Sequence, residues 1–166
     1  STSRMIDDVA KEFGCKSYRS AVGEANVASV MKEHHAVIGG EGNGGVIFPK
    51  VCWVRDSLSG MALVLDLMRD RNERLSTIVN GIPKYEMLKR TIDLADLGGI
   101  PAIEKEIERL KIAYASEKQD DSDGLRIDFA EGWLHVRPSN TEPIARVITE
   151  AKDSLTAYKL ANRVKL

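Results

Sequence analysis

Apolar positions recur at helical spacing from the start of the chain. Met5, Ile6, Val9, Ala10 and Phe13 follow Ser1-Thr2-Ser3, with Ser3 placed to cap a helix and Gly14 to stop it. Lys16 to Ser20 reads as a short strand. A second helix is expected over residues 25–33, with Val27, Val30 and Met31 on one side. Ala36-Val37-Ile38, ending in Gly39-Gly40, has the form of a buried strand, and Val46-Ile47-Phe48 is another. Ser57 to Met68 forms a strong helix whose Leu58, Met61, Ala62 and Leu65 are expected to face inward. Strands alternating with helices predict a parallel or mixed sheet with helical layers.

The run Asp70-Arg71-Asn72-Glu73-Arg74 is a charged break, which divides the chain into residues 1–71 and 75–166. Beyond it the pattern changes. Leu75 to Asn80 is a short helix closed by Gly81 and Pro83, and Tyr85 to Leu94 a strand. Pro101 sits at a helix start continued by Ile103, Ile107 and Leu110. Residues 119–124 are an acidic loop. Leu125 to Phe129 and Trp133 to Arg137 alternate apolar and polar around Glu131-Gly132, the signature of a hairpin. Ile144 to Ala151 makes a third strand, and Ser154 to Leu166 a closing helix. The fold class is mixed: an α/β part, then an α+β part with an antiparallel sheet.

Composition narrows the function. Of the 166 residues 43% are apolar and 30% charged, enough to bury a core and stay soluble. The net charge of -1 lacks the basic excess of a nucleic-acid binder. No apolar stretch reaches the roughly 20 residues of a membrane span, and residues 1–8 hold no signal-peptide core. A cytoplasmic protein without membrane or nucleic-acid partners is expected. Cys15 and Cys52 lack metal-ligand or redox spacing and are expected to be free, buried thiols.

Two loops carry candidate chemistry. The first is Arg137-Pro138-Ser139-Asn140-Thr141-Glu142-Pro143, between two expected strands. Arg137 brings a fixed charge with fork geometry for phosphate oxygens, and Ser139 and Thr141 bring hydroxyl donors. Asn140 tolerates the left-handed backbone that turns successive N–H groups toward an anion. The same composition also fits a β-turn with an exposed arginine. The second is Gly39-Gly40-Glu41-Gly42-Asn43-Gly44-Gly45. Five glycines in seven residues imply close backbone approach or positive φ. Its spacing fits neither a dinucleotide fingerprint nor a P-loop. Glu41 and Asn43 offer the carboxylate and amide that hydroxyl recognition needs, although a flexible hairpin fits as well. His34-His35 are expected to be exposed residues ending a helix, and His135 to be either core or surface. Asp120, Asp121 and Asp123 fail the calcium-loop spacing and read as a solvated linker.

Together and in this order, the two loops resemble those of the α-D-phosphohexomutases, the family of phosphoglucomutases, phosphomannomutases and phosphoglucosamine mutases. The resemblance spans essentially the whole chain. Residues 137–143 resemble the family's phosphate-binding loop in its last domain, and residues 40–45 its sugar-binding loop in the third domain. Ser20-Ala21-Val22-Gly23-Glu24 is similar to a further third-domain segment lining the cleft, and Arg55-Asp56 before a helix also fits. The resemblance implies an enzyme of four domains around one cleft, interconverting hexose 1-phosphate and hexose 6-phosphate. A phosphoserine in the first domain and a magnesium ion in the second carry the transfer through a bisphosphorylated sugar. It implies sugar contacts from Gly23, Glu24, Glu41 and Asn43, and phosphate contacts from Arg137, Ser139, Asn140 and Thr141. It implies a three-layer third domain lacking its first strand, then a TATA-box-binding-protein-like last domain.

No match to the phosphoserine loop or to an Asp-x-Asp-x-Asp metal loop is found in these residues. The chain is therefore expected to be a C-terminal part, inactive alone, binding no magnesium itself, and open to self-association at the truncated sheet edge. A stand-alone sugar-phosphate binding module is the alternative, and an unrelated α+β interaction domain a further one. Asn43 replaces a common serine. Asn140 stands where phosphoglucosamine mutases often have glycine, which leans toward a phosphomannomutase or phosphoglucomutase. Position 24 varies in the family, so the sugar itself stays open.

Overall fold

The computed structural model describes residues 2–139 and 142–166, apart from the side chain of Asp96. The chain forms two compact units, Ser1–Pro83 and Lys84–Leu166.

The first unit is mainly helical: α1 (Met5–Glu12), α2 (Glu24–Glu33), α3 (Ser57–Arg71) and α4 (Leu75–Asn80). Its strands β1 (Gly39–Gly40) and β2 (Val46–Ile47) form one antiparallel ladder, with Gly39 opposite Ile47 and Gly40 opposite Val46. The parallel or mixed sheet expected here is not formed among the described residues. Two physical reasons are visible. Residues 16–20 are held by side chains instead of a backbone ladder: Arg19 donates to the carbonyls of Thr2 and Ser3 and pairs with Asp7, which also accepts from the Ser17 hydroxyl. The run at 36–38 stays outside the ladder, with Val37 76% and Ile38 50% exposed.

Helix α3 starts where Asp56 accepts from the backbone N–H groups of Leu58 and Ser59, and ends at Asn72 in the left-handed region. Its expected inward face is turned outward: Leu58, Met61 and Leu65 are exposed. Small residues decide the packing. Ser59 is the buried position, and Gly60 lies against the Val46 side chain of β2. Ile6 on α1 and Phe13 just after it are likewise exposed. The thiols of Cys15 and Cys52 are free, but Cys15 is exposed and Cys52 only half-buried.

The second unit is the antiparallel α+β fold that alternation predicts. Its strands are β3 (Glu86–Asp93), β4 (Lys118–Asp120), β5 (Leu125–Asp128), β6 (Gly132–Pro138) and β7 (Ile144–Ala151). They lie in the order β3-β7-β6-β5-β4. Leu125, Ile127, Leu134, Val136, Ala145 and Val147 project from one face into a core. Ile103 and Leu110 of α5 (Ile100–Ala113) and Ala157 and Leu160 of α6 (Ser154–Ala161) complete it. Burial of these side chains supplies most of the unit's stabilisation.

Two expectations change here. The acidic loop contains β4, anchored because the Gln119 amide donates to the carbonyls of Lys111 and Tyr114 at the end of α5. The closing helix ends at Ala161, short of Leu166. Buried Glu106 accepts from the Lys165 backbone N–H at 2.7 Å, and Arg109 donates to the Arg163 carbonyl at 2.7 Å, so the tail leaves the helix to meet α5.

Candidate functional site

In the first unit the glycine-rich loop closes as a tight turn. The Glu41 N–H donates to the Gly45 carbonyl and the Gly44 N–H to the Glu41 carbonyl, both at 3.0 Å. The Asn43 Oδ1 accepts from the Gly45 N–H at 3.1 Å, so this side chain braces its own loop through its carbonyl end. The loop is therefore the closed turn of the β1–β2 hairpin, so the hairpin reading holds for its backbone.

Arg55 organises the surroundings of this turn. Its Nε donates to Glu24 Oε2 at 2.7 Å, and its backbone N–H reaches the same oxygen at 3.2 Å. Its NH1 meets Glu41 Oε2 at 3.0 Å. Its aliphatic stem fills the space where a side chain at position 45 would stand, so any larger residue there must displace the arginine. Gly23, at φ 125°, caps α2 and launches Glu24 into its first turn. One guanidinium thus brings Glu24 to Glu41, two expected sugar contacts 17 positions apart in the chain. The hydrogen bond from Arg55 holds the Glu24 carboxyl below the ordinary glutamate range, and Glu24 in turn raises the arginine. Fork geometry and permanent charge suit arginine to this double pairing. The sequence marked Arg55-Asp56 only as a fitting segment. Its bridging of Glu24 and Glu41 has no local pattern that periodicity could detect.

In the second unit Arg137 is the next-to-last residue of β6. It is buried, and among the described residues its Nε has no hydrogen-bond partner. Its NH1 lies 3.5 Å from Asp123 Oδ1. The Ser139 N–H donates to the Ile144 carbonyl at 2.8 Å, closing the base of the loop. Asn140 and Thr141 lie outside the described residues. Beside the loop, Leu94, Gly99, Ile100, Pro138, Ser139 and Pro143 line a small, largely apolar cleft. A buried guanidinium with an unsatisfied N–H is disfavoured unless an anion completes it, so the exposed-arginine turn does not describe this site.

His135, two residues before Arg137 on β6, is buried. Its Nε2 lies 2.6 Å from the Asp123 carbonyl, an acceptor, so Nε2 carries the proton. Burial pushes this imidazole below its ordinary value, although that hydrogen bond opposes the shift. Asp123, read from sequence as solvated linker, is therefore part of the Arg137 surroundings. His34 and His35 are exposed at the end of α2, with His34 stacked on Tyr18 at 3.9 Å.

No group of three or more His, Cys, Asp or Glu side chains fit to hold a metal occurs among the described residues. Among the same residues no helix is long and apolar enough to cross a membrane.

Comparison with known proteins is consistent across the chain. Residues 1–85 match the model of "Phosphoglucomutase/phosphomannomutase, alpha/beta/alpha domain III", and residues 94–166 that of "Phosphoglucomutase/phosphomannomutase, C-terminal domain". A phosphoglucomutase/phosphomannomutase of Thermococcus kodakarensis is 38% identical over 91% of this chain and 32% of its own length. A phosphoglucosamine/phosphogalactosamine mutase of Sulfurisphaera tokodaii is 31% identical over 99% of this chain and 36% of its own. A crystal structure of a phosphoglucomutase/phosphomannomutase family protein from Burkholderia thailandensis superposes with a TM-score of 0.76 at 21% identity, covering 95% of this chain and 33% of the other, a likeness of fold. The chain spans about a third of the length of the curated relatives it matches.

Proposed function

This chain belongs to the phosphoglucomutase/phosphomannomutase family, and on that premise we propose that it carries the substrate-holding part of a phosphohexomutase that interconverts hexose 1-phosphate and hexose 6-phosphate. The first unit supplies hydroxyl recognition through Glu24, Glu41, Asn43 and the Gly23 backbone. The second supplies phosphate recognition through Arg137, Ser139, Asn140 and Thr141. The observation that carries this reading is the buried Arg137, whose Nε lacks a hydrogen-bond partner among the described residues. An anion brought to this guanidinium would complete a charge-assisted donor.

The chemistry divides accordingly. A guanidinium fork and hydroxyl donors hold the phosphate that is not being transferred. Two carboxylates fixed by Arg55 accept hydrogen bonds from sugar hydroxyls, and a missing hydroxyl would leave a carboxylate unsatisfied, which makes such a site selective. In this reading phosphoryl transfer uses a phosphoserine and a magnesium ion contributed by other parts of the enzyme. This chain's own part in this reading is to bind and orient.

The test is calorimetric titration of the chain with glucose 1-phosphate, mannose 1-phosphate and inorganic phosphate, with Arg137→Ala as control. Binding that the variant loses supports the reading, and the order of the two sugars ranks the substrates. Binding unchanged in Arg137→Ala would sink it. Assayed alone, the chain is expected to give no mutase turnover, and turnover would refute the proposed division of labour.

A further inference from the structure

The turn between β4 and β5 is locked onto the strand that carries Arg137, and nothing in the proposed function accounts for it. Gly124, at φ +75°, lies so close to β6 that a Cβ there would stand 2.5 Å from Arg137 Cβ and 2.8 Å from its Cα, besides striking the Val136 carbonyl. The residue before it is pinned separately, because the Asp123 carbonyl accepts from His135 Nε2 at 2.6 Å. Asp120 braces the other end by accepting from the Ser122 N–H at 3.0 Å. The product of these constraints is a carboxylate, Asp123 Oδ1, 3.5 Å from NH1 of Arg137.

An acidic side chain beside an anion-binding arginine is at first sight counterproductive, since it repels the ligand. Its value is geometric. An arginine side chain loses rotamer freedom when it binds, and that ordering weakens binding unless it has been met beforehand. We propose that Asp123 is a positioning residue: it engages one edge of the Arg137 guanidinium so that the remaining N–H groups, Nε among them, stand oriented for phosphate. This rests on the phosphate-binding reading of Arg137.

Electrostatics and positioning predict opposite signs, which makes the proposal decidable. If Asp123 acted only through charge, its removal would tighten anion binding. If it positions Arg137, removal weakens it. Titration with inorganic phosphate is expected to show about tenfold weaker binding for Asp123→Ala, the scale of ordering one long side chain. Asp123→Asn keeps an acceptor at the same place and is expected to fall in between. Gly124→Ala displaces the turn without altering charge and is expected to weaken binding too. Thermal unfolding of each variant separates lost binding from lost folding. Unchanged or tighter binding in folded Asp123→Ala overturns the proposal. Wild-type affinity in Arg137→Ala shows instead that the underlying phosphate reading fails. A ligand-independent measurement stands beside these: the NMR order parameter of the Arg137 Nε–H bond. It is expected to drop in Asp123→Ala, and an unchanged value overturns the positioning role.

Discussion

Nε of Arg55 donates to Oε2 of Glu24 at 2.7 Å, across 31 positions of sequence. The arginine also meets Glu41 at 3.0 Å, so the carboxylate it fixes at the start of α2 is tied to the one in the glycine-rich turn. This pairing can be read by titration. Glu24 is held below the ordinary glutamate value of 4.5 by the Arg55 hydrogen bond. A carboxylate depressed in the folded state adds stability above its unfolded pKa and loses it as pH falls through the folded value. In Arg55→Ala, carboxyl NMR is expected to find Glu24 titrating in the ordinary range. A Glu24 signal that stays depressed would contradict the pairing.

Gly45 leaves room for the Arg55 stem. A Cβ there meets the Cδ and Cγ of Arg55, the end of a flexible stem that can swing away. Gly45→Ala is therefore expected to keep the fold, with a change in stability of about 1 kcal/mol or less, while displacing Arg55 from Glu41. Binding of a hexose 1-phosphate is expected to weaken while inorganic phosphate binding stays unchanged, because only the hydroxyl side is touched. Equal losses for both ligands would refute this separation.

Glu106 contributes to the acid stability of the second unit, beside Asp120 and Asp153, whose carboxyls are also held below the ordinary range. Burial pushes its carboxyl up, but the Arg109 side chain and the Lys165 backbone N–H outweigh burial and leave it below the usual 4.5. Its contribution is present above that value and disappears as pH falls through the folded pKa. Denaturant unfolding as a function of pH is expected to show a shallower acid loss in Glu106→Gln than in the unaltered chain. At neutral pH the variant is expected to be less stable by about 1–3 kcal/mol, as for a buried charged hydrogen-bond partner. A parallel pH dependence for the two proteins would show that Glu106 contributes nothing to it.

Trp133 and Glu150 are both almost wholly buried, and the indole N–H donates to Glu150 Oε1 at 2.8 Å. Arg126 lies over the same ring, 4.3 Å from its centroid. Trp133→Phe keeps an aromatic ring and removes this donor. A loss of about 2 kcal/mol in denaturant unfolding is expected, mostly from weakened satisfaction of a buried carboxylate. A loss no larger than that of a surface substitution would mean that the hydrogen bond contributes little.

How far the sequence carries depends on which force decides each element. Alternation along Leu125–Phe129 and Trp133–Arg137 marked two strands of the second sheet, because Leu125, Ile127, Leu134 and Val136 all enter one core. The same reasoning failed on α3, where Leu58, Met61 and Leu65 face outward. There the packing surface is made by Ser59 and Gly60, small residues that permit close approach and leave no apolar signature. It failed again at residues 16–20, where Arg19 and Ser17 satisfy the chain through side chains.

The candidate residues divide the same way. Glycine density and the Arg-Pro-Ser run mark where the backbone turns and where a fixed charge sits, properties local to the chain and so legible by themselves. Their meaning came from elsewhere in the fold. Arg55 acquires its role only because Glu24 and Glu41 are brought to it, and Asp123 only because Gly124 lets a turn press on β6. Charge pairing acts over a few ångströms of space and is indifferent to separation along the chain. The sequence by itself therefore determined which groups the protein carries, and the tertiary structure alone decided which of them face one another.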